Sequence, residues 1–155
     1  MKELKREFVL EAWEAIDLPL RDQELLKVAH EAALKAYAPY SNFQVGAAIR
    51  LASCKIITGS NQENMAYPSG LCAERTAFFY AGSQHPDDRM ETAAVVTNRS
   101  MSSEDFSPCG ACRQVMLESE NRNGAPIRFL MQPGDGEVLV SHNLSQFLPL
   151  TFRLP

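Results

Sequence analysis

Three of the four cysteines in this 155-residue chain lie in two short segments that the fold has to bring together. The first segment contains Cys72, Glu74 and Arg75, and the second contains Cys109 and Cys112. Three thiolates bind zinc and leave one tetrahedral position open to water, whereas a structural zinc is closed by four protein ligands. A carboxylate beside that water can move its protons. The sequence therefore predicts that the two segments converge on a metal site that activates water.

The spacing of the second pair of cysteines suits a helix start. Cys109 and Cys112 are three residues apart, and Pro108 and Gly110 indicate a turn that leads into a helix. A helix N-terminus carries unpaired N–H groups and positive potential, which stabilise a thiolate. Cys72 begins another predicted helix, so two helix starts point at one ion. Arg75 then offsets the negative charge that three thiolates leave around Zn²⁺.

Other interpretations of these cysteines remain open from spacing alone. A Cys-x-x-Cys pair also occurs as a thioredoxin-like redox pair, and cysteines also occur as inert core residues. A zinc-binding module without catalysis is a further alternative. The motif around Cys72 and Glu74, together with Pro108 before Cys109, favours the catalytic site. Cys54 belongs to neither motif, and we expect it to be a core or surface thiol.

Length and charge limit the other classes of function. The chain is about the size of one domain, its formal net charge is −4, and no run of Lys or Arg forms a phosphate-binding stripe. We therefore expect no nucleic-acid partner. The sequence contains no apolar signal region and no membrane-spanning run, which predicts a cytoplasmic protein without a membrane partner.

The hydrophobic pattern predicts an N-terminal helical extension, residues 1–20, followed by one domain, residues 21–155, that contains both cysteine segments. Apolar residues between positions 4 and 16 recur at helical spacing, and a second helix is predicted over 22–37, with Pro39 ending it. Further helices are predicted over 73–81, 111–120 and 144–147, and strands over 44–51, 55–58, 92–97, 127–131 and 138–140. Strands that alternate with helices indicate a layered α/β domain.

Several separated motifs, read together, resemble the small homotetrameric zinc-dependent cytidine deaminases. Besides the two cysteine segments, they are Pro39-Tyr40-Ser41-Asn42-Phe43, Val45-Gly46-Ala47-Ala48 and Gly59-Ser60-Asn61-Gln62-Glu63-Asn64. The resemblance implies a cytidine-deaminase-like layered α/β/α domain with a five-stranded mixed sheet. It also implies hydrolytic deamination of cytidine and 2′-deoxycytidine to uridine and 2′-deoxyuridine plus ammonia, a step of pyrimidine salvage.

The resemblance also assigns residues to roles. It implies that Zn²⁺ is held by Cys72, Cys109 and Cys112, that Glu74 is the catalytic acid/base, and that Arg75 hydrogen-bonds the zinc-bound sulfurs. Substrate would be bound by Phe43, Asn61, Glu63, Tyr67, the backbone N–H of Ala73 and the carbonyl of Ser107. Phe152 would reach a neighbouring subunit's pocket, although the family's usual acidic tail is replaced here by Arg153-Leu154-Pro155.

The nearest rival function is a deaminase of the same fold that acts on a modified nucleoside or a nucleoside antibiotic. The matching Asn61 and Glu63 argue against it. A Cys as first ligand, where many polynucleotide and free-base deaminases have His, favours a free nucleoside. His30, His85 and His142 lie outside every motif, and we expect them to have helix-surface or loop roles.

Overall fold

A six-stranded mixed sheet forms the centre of the computed structural model, which describes residues 1–152 and leaves 153–155 outside. The strands are β1 (Glu11–Trp13), β2 (Val45–Leu51), β3 (Ile56–Ser60), β4 (Met90–Thr97), β5 (Arg128–Pro133) and β6 (Val138–Ser141). They lie in the order β1-β6-β5-β4-β2-β3; β4 and β5 are parallel, and the other neighbours are antiparallel. The predicted mixed sheet is confirmed, but five strands was wrong.

Helices cover both faces of this sheet. α1 (Leu20–Ala33) packs on one face, and α2 (Ala73–Gln84) and α3 (Gly110–Asn123) pack on the other. Successive side chains of a strand point to opposite faces. In β2, Ala48 therefore joins the core beneath α1, while Ile49 joins the core beneath α2 and α3. This arrangement confirms the α/β/α layering.

The N-terminal segment is the place where the predicted secondary structure was wrong. The first α-helix within the described chain begins at Leu20, and the segment before it forms β1 and a 3-10 helix, Ala15–Asp17. β1 pairs antiparallel with β6 and gives this edge of the sheet a partner. Leu10 packs beneath α2 and α3, whereas Trp13 packs beneath α1, so the apolar residues do not share one helical face. In place of the predicted helix, this segment therefore contributes β1, the strand that raises the count from five to six.

The remaining predicted elements differ from the structure mainly at their ends. α1 ends at Ala33 rather than at Tyr37, because the N–H groups of Lys35 and Ala36 bond back three residues and tighten the last turn. Tyr37 then pairs with the segment that follows β3 through its own N–H and C=O. The last predicted helix is a 3-10 helix, Ser145–Phe147. No helix within residues 1–152 is long and apolar enough to cross a membrane.

A buried carboxylate joins the end of α3 to two other segments. Glu120 is 8% exposed, and its oxygens accept hydrogen bonds from the backbone N–H groups of Ile127, Leu144 and Ser145 at 2.9, 2.7 and 3.0 Å. A buried carboxylate without such donors would be strongly destabilising. Glu120 therefore holds the entry to β5 and the last 3-10 helix against α3.

Candidate active site

Two helix N-termini bring the three predicted metal ligands together. Cys72 is the N-cap of α2, Cys109 is the N-cap of α3, and Cys112 lies in the first turn of α3. Their Sγ atoms all lie within 4.8 Å of one another, with Cys72–Cys109 at 3.8 Å and Cys109–Cys112 at 3.5 Å. Zn–S bonds of about 2.3 Å at tetrahedral angles place sulfurs about 3.8 Å apart. The thiol cluster therefore fits a zinc ion.

A glycine in β3 allows the N-terminus of α2 to approach the sheet. A Cβ atom added to Gly59 would lie 2.6 Å from the carbonyl oxygen of Ala73 and 2.6 Å from the backbone nitrogen of Ala77. Real Cβ atoms do not approach backbone that closely, so a larger residue would displace the helix. Ala73 itself is fully buried at the first helical position. The position of Cys72 thus depends on close packing between α2 and β3.

Charge in the thiol cluster is stabilised unequally. The pKa of Cys72 is lowered, chiefly because the Cys112 thiol donates a hydrogen bond to it and then because Arg75 lies beside it. The same hydrogen bond raises the pKa of Cys112, and burial raises it further. Nη2 of Arg75 lies 3.7 Å from the Cys72 sulfur, and the buried Nε of Arg75 has no partner among the described residues. These buried donors fit a site that holds further negative charge.

Glu74 lies two residues after Cys72, in the first turn of α2, and is 6% exposed. Burial raises the pKa of this carboxyl to about 7, and the negative charge of Cys72 adds to the increase. A carboxyl group whose pKa lies near neutrality can both accept and donate a proton at physiological pH. Glu74 therefore has the electrostatic character that a shared acid and base requires.

A cleft of roughly 500 Å³ opens beside the thiol cluster. This volume lies within the usual range for small-molecule sites. The start of α2 lines one side of the cleft. The loop between α1 and β2 and the segment between β3 and α2 line the rest. The lining residues are Tyr40, Ser41, Asn61, Gln62, Glu63, Asn64, Tyr67, Gly70, Leu71, Cys72 and Arg75. The structure thus brings Asn61, Glu63 and Tyr67 to the same cleft as Cys72 and Arg75.

Asn61 connects the cleft to Phe43. Its Oδ1 accepts a hydrogen bond from the N–H of Val45, and its Nδ2 donates to the carbonyl of Phe43, both at 2.8 Å. An amide group has two donors and two acceptor lone pairs, so each end of Asn61 keeps one for another group. The ring of Phe43 is half-buried and packs against the core beneath α2, with the Arg99 guanidinium 6.0 Å from its centroid.

Glu63 holds the loop that precedes Phe43. Its carboxylate accepts hydrogen bonds from the N–H groups of Tyr40 and Ser41, at 2.9 and 3.3 Å, and from the Ser41 hydroxyl. The hydroxyl is the main reason why the pKa of Glu63 is lowered. An ionised carboxylate has about four acceptor sites, so one of them remains for another donor.

Sequence reasoning missed Arg113, which binds the segment that carries Ser107 and Cys109. Nε of Arg113 donates to the carbonyl of Pro108 at 2.8 Å, and Nη2 donates to Oγ of Ser107 at 2.9 Å. A signal was present, because Arg113 follows Cys112 and lies one helical turn after Cys109.

The other predicted residues have these positions. Tyr67 is 80% exposed at the cleft, and Phe152 is 72% exposed, with its carbonyl accepting a hydrogen bond from Gln114 of α3. Cys54 is an exposed thiol at a hairpin turn, outside the cluster. The histidines also lie outside the cluster: His30 bonds Asn98 and Gln132, His85 caps α2, and His142 pairs with Glu11.

Comparison with known families places this site in a group of zinc enzymes. Residues 19–124 match the family model described as the cytidine and deoxycytidylate deaminase zinc-binding region, and this match includes all three thiols and Glu74. The chain belongs to this family. The match begins just before α1, so β1 lies outside it.

Individual proteins agree with this assignment. The chain is 46% identical to a cytidine deaminase of Halalkalibacterium halodurans over 62% of its own length and 70% of the relative's. It is 40% identical to a cytidine deaminase of Sporosarcina psychrophila, covering 74% and 81% of the two chains. A crystal structure of cytidine deaminase from Burkholderia pseudomallei has a TM-score of 0.72 at 38% identity, covering 84% of this chain and 98% of that one. The cytidine deaminase fold is therefore confirmed.

Proposed function

We propose that this protein is a zinc-dependent cytidine deaminase that converts cytidine and 2′-deoxycytidine to uridine and 2′-deoxyuridine with release of ammonia. The observation that carries the proposal is the cluster of three thiols with a buried carboxyl, Glu74, beside a cleft of roughly 500 Å³. Family membership supports the same reaction, because the relatives compared above are named cytidine deaminases. Reduced thiol ligands and a free nucleoside substrate accord with a cytoplasmic enzyme of pyrimidine salvage.

Proton transfer is the task of Glu74. Cys72, Cys109 and Cys112 would hold a zinc ion, which when bound would supply the Lewis acidity that activates a water for addition to C4 of the base. Glu74 takes a proton from the attacking water and delivers it to N3. It then takes the proton of the new C4 hydroxyl and gives it to the amino group, which leaves as ammonia while the C4 carbonyl forms. Its pKa of about 7 suits both directions of transfer. Arg75 stabilises the thiolate of Cys72 throughout, since its guanidinium lies at hydrogen-bonding distance from the sulfur.

The nucleoside is held by groups that the structure leaves with bonding capacity. The first N–H groups of α2, including that of Ala73, have no partner within the helix and can donate to the base. The carbonyl of Ser107 can accept from the base, and Phe43 stands against its ring. Asn61 retains one donor and one acceptor position and Glu63 retains one acceptor position, which match a ribose hydroxyl that both donates and accepts.

We also propose a homotetramer with shared pockets. Tyr67 and Phe152 are large aromatic residues that are 80% and 72% exposed in the single chain. Exposed apolar surface of this kind marks a contact site, and a neighbouring subunit would bury both residues. Phe152 would complete the pocket of a neighbouring subunit. Light scattering on column fractions, with activity measured on the same fractions, tests this assembly, and a fully active monomer would refute shared pockets.

Loss of ultraviolet absorbance as cytidine becomes uridine is the direct test of function. The assay compares cytidine, deoxycytidine, cytosine, deoxycytidylate and adenosine, and zinc is measured on the same protein. We expect about one zinc per chain and turnover of the two nucleosides. Glu74→Gln keeps zinc and loses at least about 100-fold in kcat, whereas Glu118→Gln, an exposed change on α3, leaves both unchanged.

The outcomes also separate the rival functions. Zinc without turnover would favour an interaction module, and a metal-free protein with a reversible Cys109–Cys112 disulfide would favour a redox pair. Activity confined to a modified nucleoside would favour the nearest rival deaminase. Replacing Cys112 by Ala must remove metal and activity together, because a buried thiolate ligand cannot be substituted by an apolar side chain.

A further inference from the structure

The segment that contains Ser107, Pro108 and Cys109 has to be rigid but has no regular secondary structure of its own. It lies between a 3-10 helix, Ser103–Asp105, and the start of α3. In the proposed function it carries both a metal ligand and the carbonyl that accepts from the base. Irregular segments are held in place by contacts with other parts of a protein rather than by backbone hydrogen bonds within themselves.

Arg113 supplies such contacts from the first turns of α3. Its Nε donates to the carbonyl of Pro108 at 2.8 Å, and its Nη2 donates to the hydroxyl of Ser107 at 2.9 Å. The planar guanidinium presents its donors in a fixed fork, so two bonds to neighbouring residues restrict the direction of the segment as well as its distance. The backbone of Arg113 also donates to the carbonyl of Cys109 at 2.9 Å.

The remaining guanidinium nitrogen of Arg113 contacts a residue outside the Ser107–Cys109 segment. Nη1 of Arg113 lies 3.5 Å from the carbonyl of Phe147. The ring of Phe147 is 3% exposed and packs edge-to-face against Phe8 and Phe129, at 5.4 and 5.6 Å between ring centroids. Arg113 therefore ties the metal-bearing segment to a closely packed aromatic cluster.

We propose that Arg113 is a positioning residue that fixes the Ser107–Cys109 segment, and so sets the Cys109 sulfur and the Ser107 carbonyl in their working positions. This inference rests on the proposed function for the importance of those two atoms. Arg113 itself touches neither the cleft lining nor a thiol among the contacts of the described residues. Its effect passes through the backbone that it binds.

Zinc release from the folded protein is the main test. Wild type, Arg113→Gln and Arg113→Lys are compared by the rate at which each transfers zinc to an excess of a chromogenic chelator. Arg122→Gln, an exposed change on the same helix, is the matched control. We expect release about 10-fold faster or more in both Arg113 variants, since losing a group that orients metal ligands typically costs 10- to 100-fold in metal affinity. Lysine does not rescue, because a point charge cannot bridge three acceptors.

Two further measurements separate positioning from simple stability. The Cys109 thiol of the metal-free, folded protein is expected to be alkylated faster in Arg113→Gln than in wild type. Ser107→Ala, which removes one acceptor and keeps the backbone carbonyl, is expected to give an intermediate rate of zinc release. A purely structural role would lower the melting temperature while leaving zinc release and Cys109 reactivity of the folded protein unchanged, and this result would overturn the inference.

The remaining outcomes are also decisive. If the Arg113 variants do not fold, Ser107→Ala decides: faster zinc release supports positioning, and wild-type release contradicts it. If wild type binds no zinc or has no deaminase activity, the proposed function fails, and the alkylation rates then judge the inference independently. If wild type is active and the Arg113→Gln protein matches it in zinc release and alkylation, only the inference fails.

Discussion

Replacing Glu74 by Gln should stabilise the metal-free protein at alkaline pH while it removes activity. The pKa of the buried carboxyl is raised from 4.5 to about 7 in the folded state. A folded-state pKa above the unfolded value means that the protein binds the proton more tightly when it is folded. The resulting stability is fully present below the unfolded pKa and is lost as pH rises through the folded pKa.

The magnitude follows from the size of this shift. Raising the pKa from 4.5 to about 7 corresponds to about 3 kcal/mol, most of which is lost between pH 5 and pH 8. Gln is a neutral isostere of the protonated acid, so its contribution does not change over this range. We therefore expect the free energy of unfolding of wild type to fall by most of this amount relative to Glu74→Gln between these two pH values.

The assay is denaturant unfolding of both proteins after metal removal, at pH 5 and pH 8 in a reducing buffer and at one protein concentration. Glu118→Gln serves as control, because Glu118 is exposed and its replacement should leave the pH dependence of wild type unchanged. Parallel pH profiles for wild type and Glu74→Gln would refute the argument that burial holds this carboxyl protonated.

Three further substitutions test the packing around the site. Glu120→Gln should lower the free energy of unfolding, measured with denaturant, by about 2–4 kcal/mol, because an amide cannot accept from all three backbone N–H groups that now bind the carboxylate. The control Glu118→Gln should change it by less than about 0.5 kcal/mol. Gly59→Ala should cost about 1–3 kcal/mol and weaken zinc binding in chelator competition, since the new methyl group would meet the carbonyl of Ala73; unchanged zinc affinity would contradict the role of this close approach. Phe152→Ala should raise KM for cytidine several-fold in the tetramer, and steady-state kinetics indistinguishable from wild type would remove this residue from the neighbour's pocket.

Local spacing was sufficient to predict how α3 presents its thiols. Cys109 and Cys112 are three residues apart at a turn marked by Pro108, and one helical turn necessarily places both sulfurs on one side. The β-rich run over residues 44–51 likewise predicted a strand, and β2 spans Val45–Leu51. Such features depend on neighbours in the chain, and these are visible in the sequence.

Other features depend on residues that meet only in the folded chain. The apolar spacing of the N-terminal segment suits a helix, but residues 11–13 form a strand because β6 offers an unpaired edge. The paired residues of β6 lie more than 120 positions further along the chain. The pKa of Glu74 is raised by burial, which depends on how closely α2 packs against β3. The hydrogen bond from the Arg113 guanidinium to the carbonyl of Phe147 exists only because the fold brings these two residues together. The sequence by itself determined which chemical groups the site contains. The tertiary structure decided which of these groups are protonated and which contacts hold them in place. Burial, strand pairing at the sheet edge and the meeting of two helix ends all depend on residues far apart in the sequence, so local spacing does not reveal them.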